Sequence, residues 1–267
     1  MSDHKDSPRG HSGRLARVGR KHRLIVTTRN LEGLSEVKMH EITMHMECNS
    51  VDVLCIQETR RAKSDHFTTY NGYAVYLSGN STGQREWAGV GFVIATAFVP
   101  YVMGFNPISN RIASLKFRVS GGCSVLFSVY APHNLRPMIE RVSFYDELEK
   151  YLSQSSSNGP KYVLGDLNAR VGFCNPGEES VLGSYGFGRE AIHKVERPNR
   201  DLLIEFCTAT SMVVGNTFLP GPAEHKATYH EPHARPMECI TENKFAMLDL
   251  ALLPAQCVQR LISIYMQ

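Results

Sequence analysis

A succession of short apolar runs constrains this chain more than any other feature. RLIVTT, VDVLCI, YAVYL, AGVGFVIA, IASLKF, CSVLFSVYAP, KYVLGD, MVVGNT and AMLDLALL are rich in β-branched and aliphatic residues, and Gly, Pro or Asn punctuates several of them. Runs of this kind read as strands. Between them lie helical patterns. Phe144, Leu148, Tyr151 and Leu152 recur at helical spacing, as do Leu202, Leu203 and Phe206, and Ser35 can cap a helix running toward Asn49. Many strands with a few interspersed helices predict an α/β or α+β sandwich.

The chain has 267 residues, 42% of them hydrophobic, which is enough for one substantial core. The expected organisation is a single domain over 24–267 preceded by a leader over 1–23. That leader carries Arg9, Arg14, Arg17, Arg20, Lys21 and Arg23 among Ser, Gly and His. With so few apolar residues, its ordering entropy cannot be offset by burial, so it reads as a solvated tail, with a phosphate-binding arm as the alternative. A net charge of +3 is too small to establish a nucleic-acid partner. The seven cysteines include no CxxC pair and no His–Cys cluster at zinc spacing. Reduced thiols in an intracellular compartment, nuclear or cytoplasmic, are therefore expected, with Cys55 in VDVLCIQE a small core residue. No apolar run reaches the length of a membrane span.

The chemistry lies where strands end. VLCIQETR delivers Glu58, LFSVYAPHN delivers Tyr130, His133 and Asn134, and YVLGDLNARVG delivers Asp166 and Asn168. A sheet edge holds such groups rigid while loops shape the cleft. Glu, Asp and Asn oxygens suit a hard ion, Mg²⁺ or Mn²⁺. Each residue also has an ordinary reading: Glu58 can start a turn, Asp166 and Asn168 can form an Asx turn, and Tyr130 can be a packed aromatic with a satisfied hydroxyl. Taken together the ordinary readings weaken, because three strands would have to end in metal-type ligands by accident. Asp249 is different, a carboxylate inside an apolar run that is costly to bury without a partner.

IQET, YAPH, GDLNARVG and the late LD, in this order and spacing, resemble the successive motifs of the endonuclease/exonuclease/phosphatase superfamily, which includes abasic-site endonucleases and the endonuclease domains of non-LTR retrotransposons. GSYGFGREAIHKVERPNRDLLIEFCTATSMVVGNTFLP is similar in particular to the retrotransposon branch and to craniofacial-development-protein-2-like proteins. The resemblance implies a four-layer α/β sandwich, two packed mixed β-sheets flanked by helices. It implies a metal-dependent phosphodiesterase, most similar to a DNA endonuclease of retroelement origin, acting as a monomer on DNA or RNA without a membrane partner.

Residue by residue, the resemblance makes Glu58 the metal-binding acid and Asn30 its companion in the metal site, an amide that orients the ligands. TTRN has Arg29 where the family places an aromatic. It makes Tyr130 a contact to the scissile phosphate, with His133 and Asn134 beside it. Asp166 becomes the acid that orients or deprotonates water, Asn168 the amide that steadies the phosphate, and Thr228 in ATYH a residue beside the cleft. Asp249 matches the acid that orients a His in a later SDH motif, but no His follows Asp249 here. His225, His230 and His233 precede it and match no motif. The reading is thus of a truncated chain lacking the last strand of its second sheet, weak or inactive as it stands. A catalytically dead domain that binds nucleic acid or protein is the alternative, and a small-molecule or lipid phosphatase a further one.

Overall fold

The computed structural model describes residues 24–79, 87–188, 196–222, 226, 228–230, 245–260 and 264–266. The leader, His225 and His233 lie outside these residues.

In chain order the first strands are β1 (Val26–Asn30), β2 (Val53–Gln57), β3 (Asp65–Thr68), β4 (Ala74–Ser78) and β5 (Val90–Ile94). Next come β6 (Val102–Pro107), β7 (Ile112–Val119), β8 (Gly122–Tyr130), β9 (Lys161–Asp166) and β10 (Met212–Val214). The last are β11 (Tyr229–His230), β12 (Phe245–Ala246), β13 (Asp249–Pro254) and β14 (Ile264–Met266). The helices are α1 (Glu36–Cys48), α2 (Met138–Gln154) and α3 (Asn199–Thr210).

Two six-stranded mixed sheets result, ordered β14-β1-β2-β5-β4-β3 and β10-β13-β9-β8-β7-β6. Strand alternation explains why apolar runs that look uniform serve two interfaces. In β2, Val53 and Cys55 face the other sheet, meeting Phe92, Leu115 and Leu126, whereas Leu54 and Ile56 point outward to Met39, Ile42 and Met46 of α1. In the second sheet, Leu126 and Leu164 face inward, while Phe127, Val129, Val163 and Leu250 receive Phe144 and Leu148 of α2 and Phe206 of α3. The order is helix, sheet, sheet, helices, as expected of a four-layer sandwich. Ser35 caps α1, its Oγ accepting from the Lys38 N–H at 3.2 Å. Cys55 is fully buried.

The topology decides where the site lies. β1 and β2 run parallel, as do β8 and β9, so their C-terminal ends come to one edge of the sandwich. β8 and β9 pair with Tyr130 opposite Asp166, and the antiparallel β13 begins with Asp249 opposite Asp166. Gly165 permits this close pairing, since a Cβ there would lie 2.0 Å from the Val129 carbonyl oxygen. Below the edge, Gln57 joins the sheets, accepting from Thr28 Oγ1 at 3.1 Å and donating to Ser128 Oγ at 3.2 Å. Within the second sheet β13 is paired on both sides, by β9 and β10, and β10 and β6 are the edge strands. The last described strand, β14, instead joins the first sheet beside β1. Among the described residues, no helix is long and apolar enough to cross a membrane.

Candidate active site

Four strand ends supply the cluster. Asn30 closes β1, Glu58 follows β2, Tyr130 closes β8 and Asp166 closes β9. Just past the strands the backbone turns through left-handed conformations, at Glu58 (φ 51°), Arg60 (φ 53°) and Asn168 (φ 47°). Such backbone is costly for non-glycine residues and persists where the surroundings enforce it, as at functional sites.

One amide ties the cluster together. Asn30 Nδ2 donates to Glu58 Oε1 at 2.9 Å and to Asp166 Oδ2 at 3.1 Å, joining carboxylates from the two sheets. Its own oxygen accepts from the Glu32 N–H at 3.2 Å, which fixes the orientation of the amide. Tyr130 Oη donates to Glu58 Oε1 at 3.0 Å. Arg60 donates to Glu58 Oε2 at 3.1 Å. Asp166 Oδ1 accepts the Asn168 N–H at 2.9 Å, and Asn168 Nδ2 donates to the Ala131 carbonyl at 2.8 Å. The Asx turn expected as the ordinary reading of GDLN is therefore present, and the same carboxylate also joins the cluster through its other oxygen.

Burial sets the electrostatics. Asp166 is 6% exposed, and loss of water pushes its carboxyl up to about 6. Hydrogen bonds from the Asn168 N–H and the Asn30 amide work against that rise, and the Glu58 charge adds to it. Asp249, 5% exposed, is raised well above the usual carboxylate range by burial first and the Asp166 charge second, with the Thr228 hydroxyl opposing. Its Oδ1 has no hydrogen-bond partner among the described residues. Burial and the neighbouring carboxylates also raise the Tyr130 hydroxyl, which therefore stays a donor at neutral pH.

The other expected residues lie around this cluster rather than in it. His133 is exposed, its Nδ1 accepting from the Leu135 N–H at 3.2 Å, and desolvation with the nearby Arg136 and Arg111 lowers its pKa. The amide oxygen of Asn134 takes the Asn199 N–H at 2.8 Å, so it helps to start α3. Thr228 Oγ1 accepts the N–H groups of Leu248 and Asp249 at 2.9 and 3.1 Å, which anchors the start of β13. Of His230 only the backbone, in β11, is described.

Several supporting residues escaped the sequence reading. Asn199 Nδ2 binds the carbonyls of Pro132 and Asn168 at 2.7 and 3.1 Å, clamping the loops that follow Tyr130 and Asp166. Beside it Arg200 binds the Val171 carbonyl at 2.7 Å and both oxygens of Glu178 at 2.6 Å, and that pairing lowers the Glu178 pKa. The only advance signal was polar residues opening an otherwise apolar helix, PNRDLL. Arg111 donates to the Tyr130 carbonyl at 3.1 Å, with its guanidinium carbon 5.2 Å from the ring centroid.

The atoms of the cluster able to ligate an ion are carboxylate oxygens of Glu58 and Asp166, the type a hard divalent ion takes, while Asn30 turns its nitrogen toward them and its oxygen to the Glu32 N–H. Among the described residues no group of three or more His, Cys, Asp or Glu could enclose a metal. The cluster offers few carboxylates, so an ion held there would complete its coordination with water.

Residues 11–189 match the Endonuclease/Exonuclease/phosphatase family. Over 211 residues the chain is 26% identical to craniofacial development protein 2 of Bos taurus and 25% identical to that of Tragulus javanicus. The match covers 79% of this chain but only 34% and 35% of those proteins, so the chain spans about a third of the length of the curated relatives. Among solved structures, the AP endonuclease LMAP from Leishmania major superposes with a TM-score of 0.59 at 14% identity, covering 88% of this chain and 80% of that one. The endonuclease domain of TRAS1, a telomere-specific non-LTR retrotransposon, superposes with a TM-score of 0.52 at 13% identity, covering 85% and 82%. At these identities the likeness is one of fold. With two thirds of its length matching the family and the family's sandwich built around it, the chain belongs to the Endonuclease/Exonuclease/phosphatase family.

Proposed function

We propose that this protein is a divalent-metal-dependent phosphodiesterase acting on DNA, an endonuclease of the retroelement kind. The observation that carries the reading is the Asn30 amide holding Glu58 and Asp166, from separate sheets, at one edge. In this reading Glu58 holds Mg²⁺ or Mn²⁺, and Asn30 orients the carboxylate. Bound there, the ion supplies neutralisation of phosphate charge and of the leaving oxygen. Asp166, when ionised, aligns a water or takes its proton for in-line attack on phosphorus. Tyr130, kept protonated, donates to a non-bridging phosphate oxygen once it leaves Glu58, and the Asn168 amide does the same once it leaves Ala131. Arg111 adds positive charge beneath the Tyr130 ring. His133 and Asn134 flank the phosphate path, and Thr228 backs Asp249.

DNA is favoured as substrate because the similar solved structures include a 3′ phosphatase from Neisseria bound to a product DNA hairpin. A second reading, a binding domain without catalysis, draws on one observation: both oxygens of Glu58 are already engaged, by Asn30 and Tyr130 on one side and Arg60 on the other. Supercoiled plasmid separates the two. The phosphodiesterase converts it, however slowly, to nicked circles with Mg²⁺ and not with EDTA. Plasmid that is bound but stays supercoiled at every Mg²⁺ concentration would leave the binding domain as the surviving reading.

A further inference from the structure

Trp87 is the sole tryptophan of the chain, and it is 74% exposed just ahead of β5. Exposure alone marks nothing, since Tyr70 is 82% exposed; what sets Trp87 apart is how its ring is braced. The indole is held from one side. The guanidinium carbon of Arg60 lies 4.5 Å from the ring centroid, and the same guanidinium is pinned to Glu58 Oε2 at 3.1 Å. Gly33 closes over the arginine stem, where a Cβ would come 3.4 Å from Arg60 Cδ. A carboxylate at its tip and a ring on its face thus fix the cation, and the fixed cation fixes the ring. Arg60 Nε is buried and without a hydrogen-bond partner among the described residues, so the guanidinium is seated against the protein by Glu58 and the ring rather than extended into solvent.

A flat aromatic backed by a rigid cation, two residues along the chain from the proposed ion-binding acid, has the chemistry of a base-stacking platform on a phosphate track. We propose that Trp87, braced by Arg60, is a stacking subsite for an unpaired nucleobase next to the phosphate at Glu58. Bases inside a duplex have both faces covered by their neighbours, so only a base in a single strand or a melted step can lie on the indole. The subsite therefore selects DNA with an unstacked base near the cleavage position. This rests on the phosphodiesterase reading only for where the cleaved phosphate sits.

The test is binding in EDTA, where no hydrolysis takes place. Indole fluorescence, excited at wavelengths that the 11 tyrosines do not absorb so that it reports Trp87 alone, is titrated with short oligothymidylate and with a blunt duplex of the same length. In parallel, anisotropy of labelled oligonucleotides measures affinity for wild type, Trp87→Ala and Trp87→Phe. The single strand is expected to quench the indole and the duplex to leave it largely unchanged. Trp87→Ala should weaken single-strand binding roughly 10- to 100-fold. Trp87→Phe should retain most of the affinity, and the slope of affinity against salt should be the same in all three, since no phosphate contact is removed. Equal quenching by strand and duplex, or Trp87→Ala binding the single strand as wild type does, overturns the proposal. Quenching that persists in a protein unable to nick plasmid would instead count against the hydrolytic reading alone.

Discussion

Asp166→Asn is expected to lower Mg²⁺-dependent cleavage by roughly 10²- to 10⁴-fold, the range lost with a general base. The replacement is nearly isosteric, so the rate should fall without loss of fold. Both oxygens of Asp166 accept from fixed donors, the Asn168 N–H and the Asn30 amide. An amide at this position turns one acceptor into a donor facing a donor. It also removes a negative charge from between Glu58 and Asp249, and the two changes act in opposite directions on stability. The discriminating readout is the pH profile under single turnover. The carboxyl, pushed up to about 6 by burial, must be ionised to serve as base, so the wild-type rate should climb with pH through an acid limb at or below that value. A bound cation moves the limb downward. In Asp166→Asn the limb should vanish. If it survives there with the wild-type slope, another group is the base.

Asp249→Asn is expected to leave the stability of the metal-free protein unchanged or raise it mildly at neutral pH, because it removes a carboxyl whose charge is disfavoured by burial and by Asp166 while keeping a buried polar group in place. Asp249 is 5% exposed, faces Asp166 across the β9–β13 pair, and has an oxygen with no partner among the described residues. The pH dependence has a definite sign. Asp166 and Asp249 both hold their protons more tightly in the folded state than in the unfolded one, where carboxyls titrate near 4. Protonation therefore favours the fold, and the stability it contributes is lost as pH rises from about 4 through 6 and beyond. Melting curves between pH 5 and 7.5 should show a smaller fall with pH for Asp249→Asn than for wild type. A variant that melts lower than wild type at neutral pH would show that Asp249 has a stabilising partner in solution.

Much of the fold was legible because the buried strands had to be apolar. β2, β5, β8 and β9 lie between layers and announce themselves. β3 did not, since all four of its residues are exposed and DHFT carries no apolar pattern. β6 is an edge strand whose burial is nearly as slight. α1 was legible from its Ser35 cap, with Met39, Ile42 and Met46 forming its buried stripe. In the site, Glu58, Tyr130 and Asp166 stood out as polar residues ending apolar strands. Their mutual arrangement was not legible, because it depends on how two sheets register. Nothing local says that Asn30 will reach Asp166, 136 residues away, or that Asn134 will spend its amide oxygen on α3. For the same reason nothing local marks Arg60, Arg111 or Asn199.

The most direct measurement of the account's central claim is a calorimetric Mg²⁺ titration of wild type, Glu58→Gln and Asp166→Asn. The division of roles assigns the ion to Glu58 and the water to Asp166. Wild type should bind in the micromolar to millimolar range of a site with few oxygen ligands and retained water. Glu58→Gln should lose that isotherm, and Asp166→Asn should keep it. Indistinguishable isotherms for wild type and Glu58→Gln would contradict the claim and remove Glu58 from the metal site.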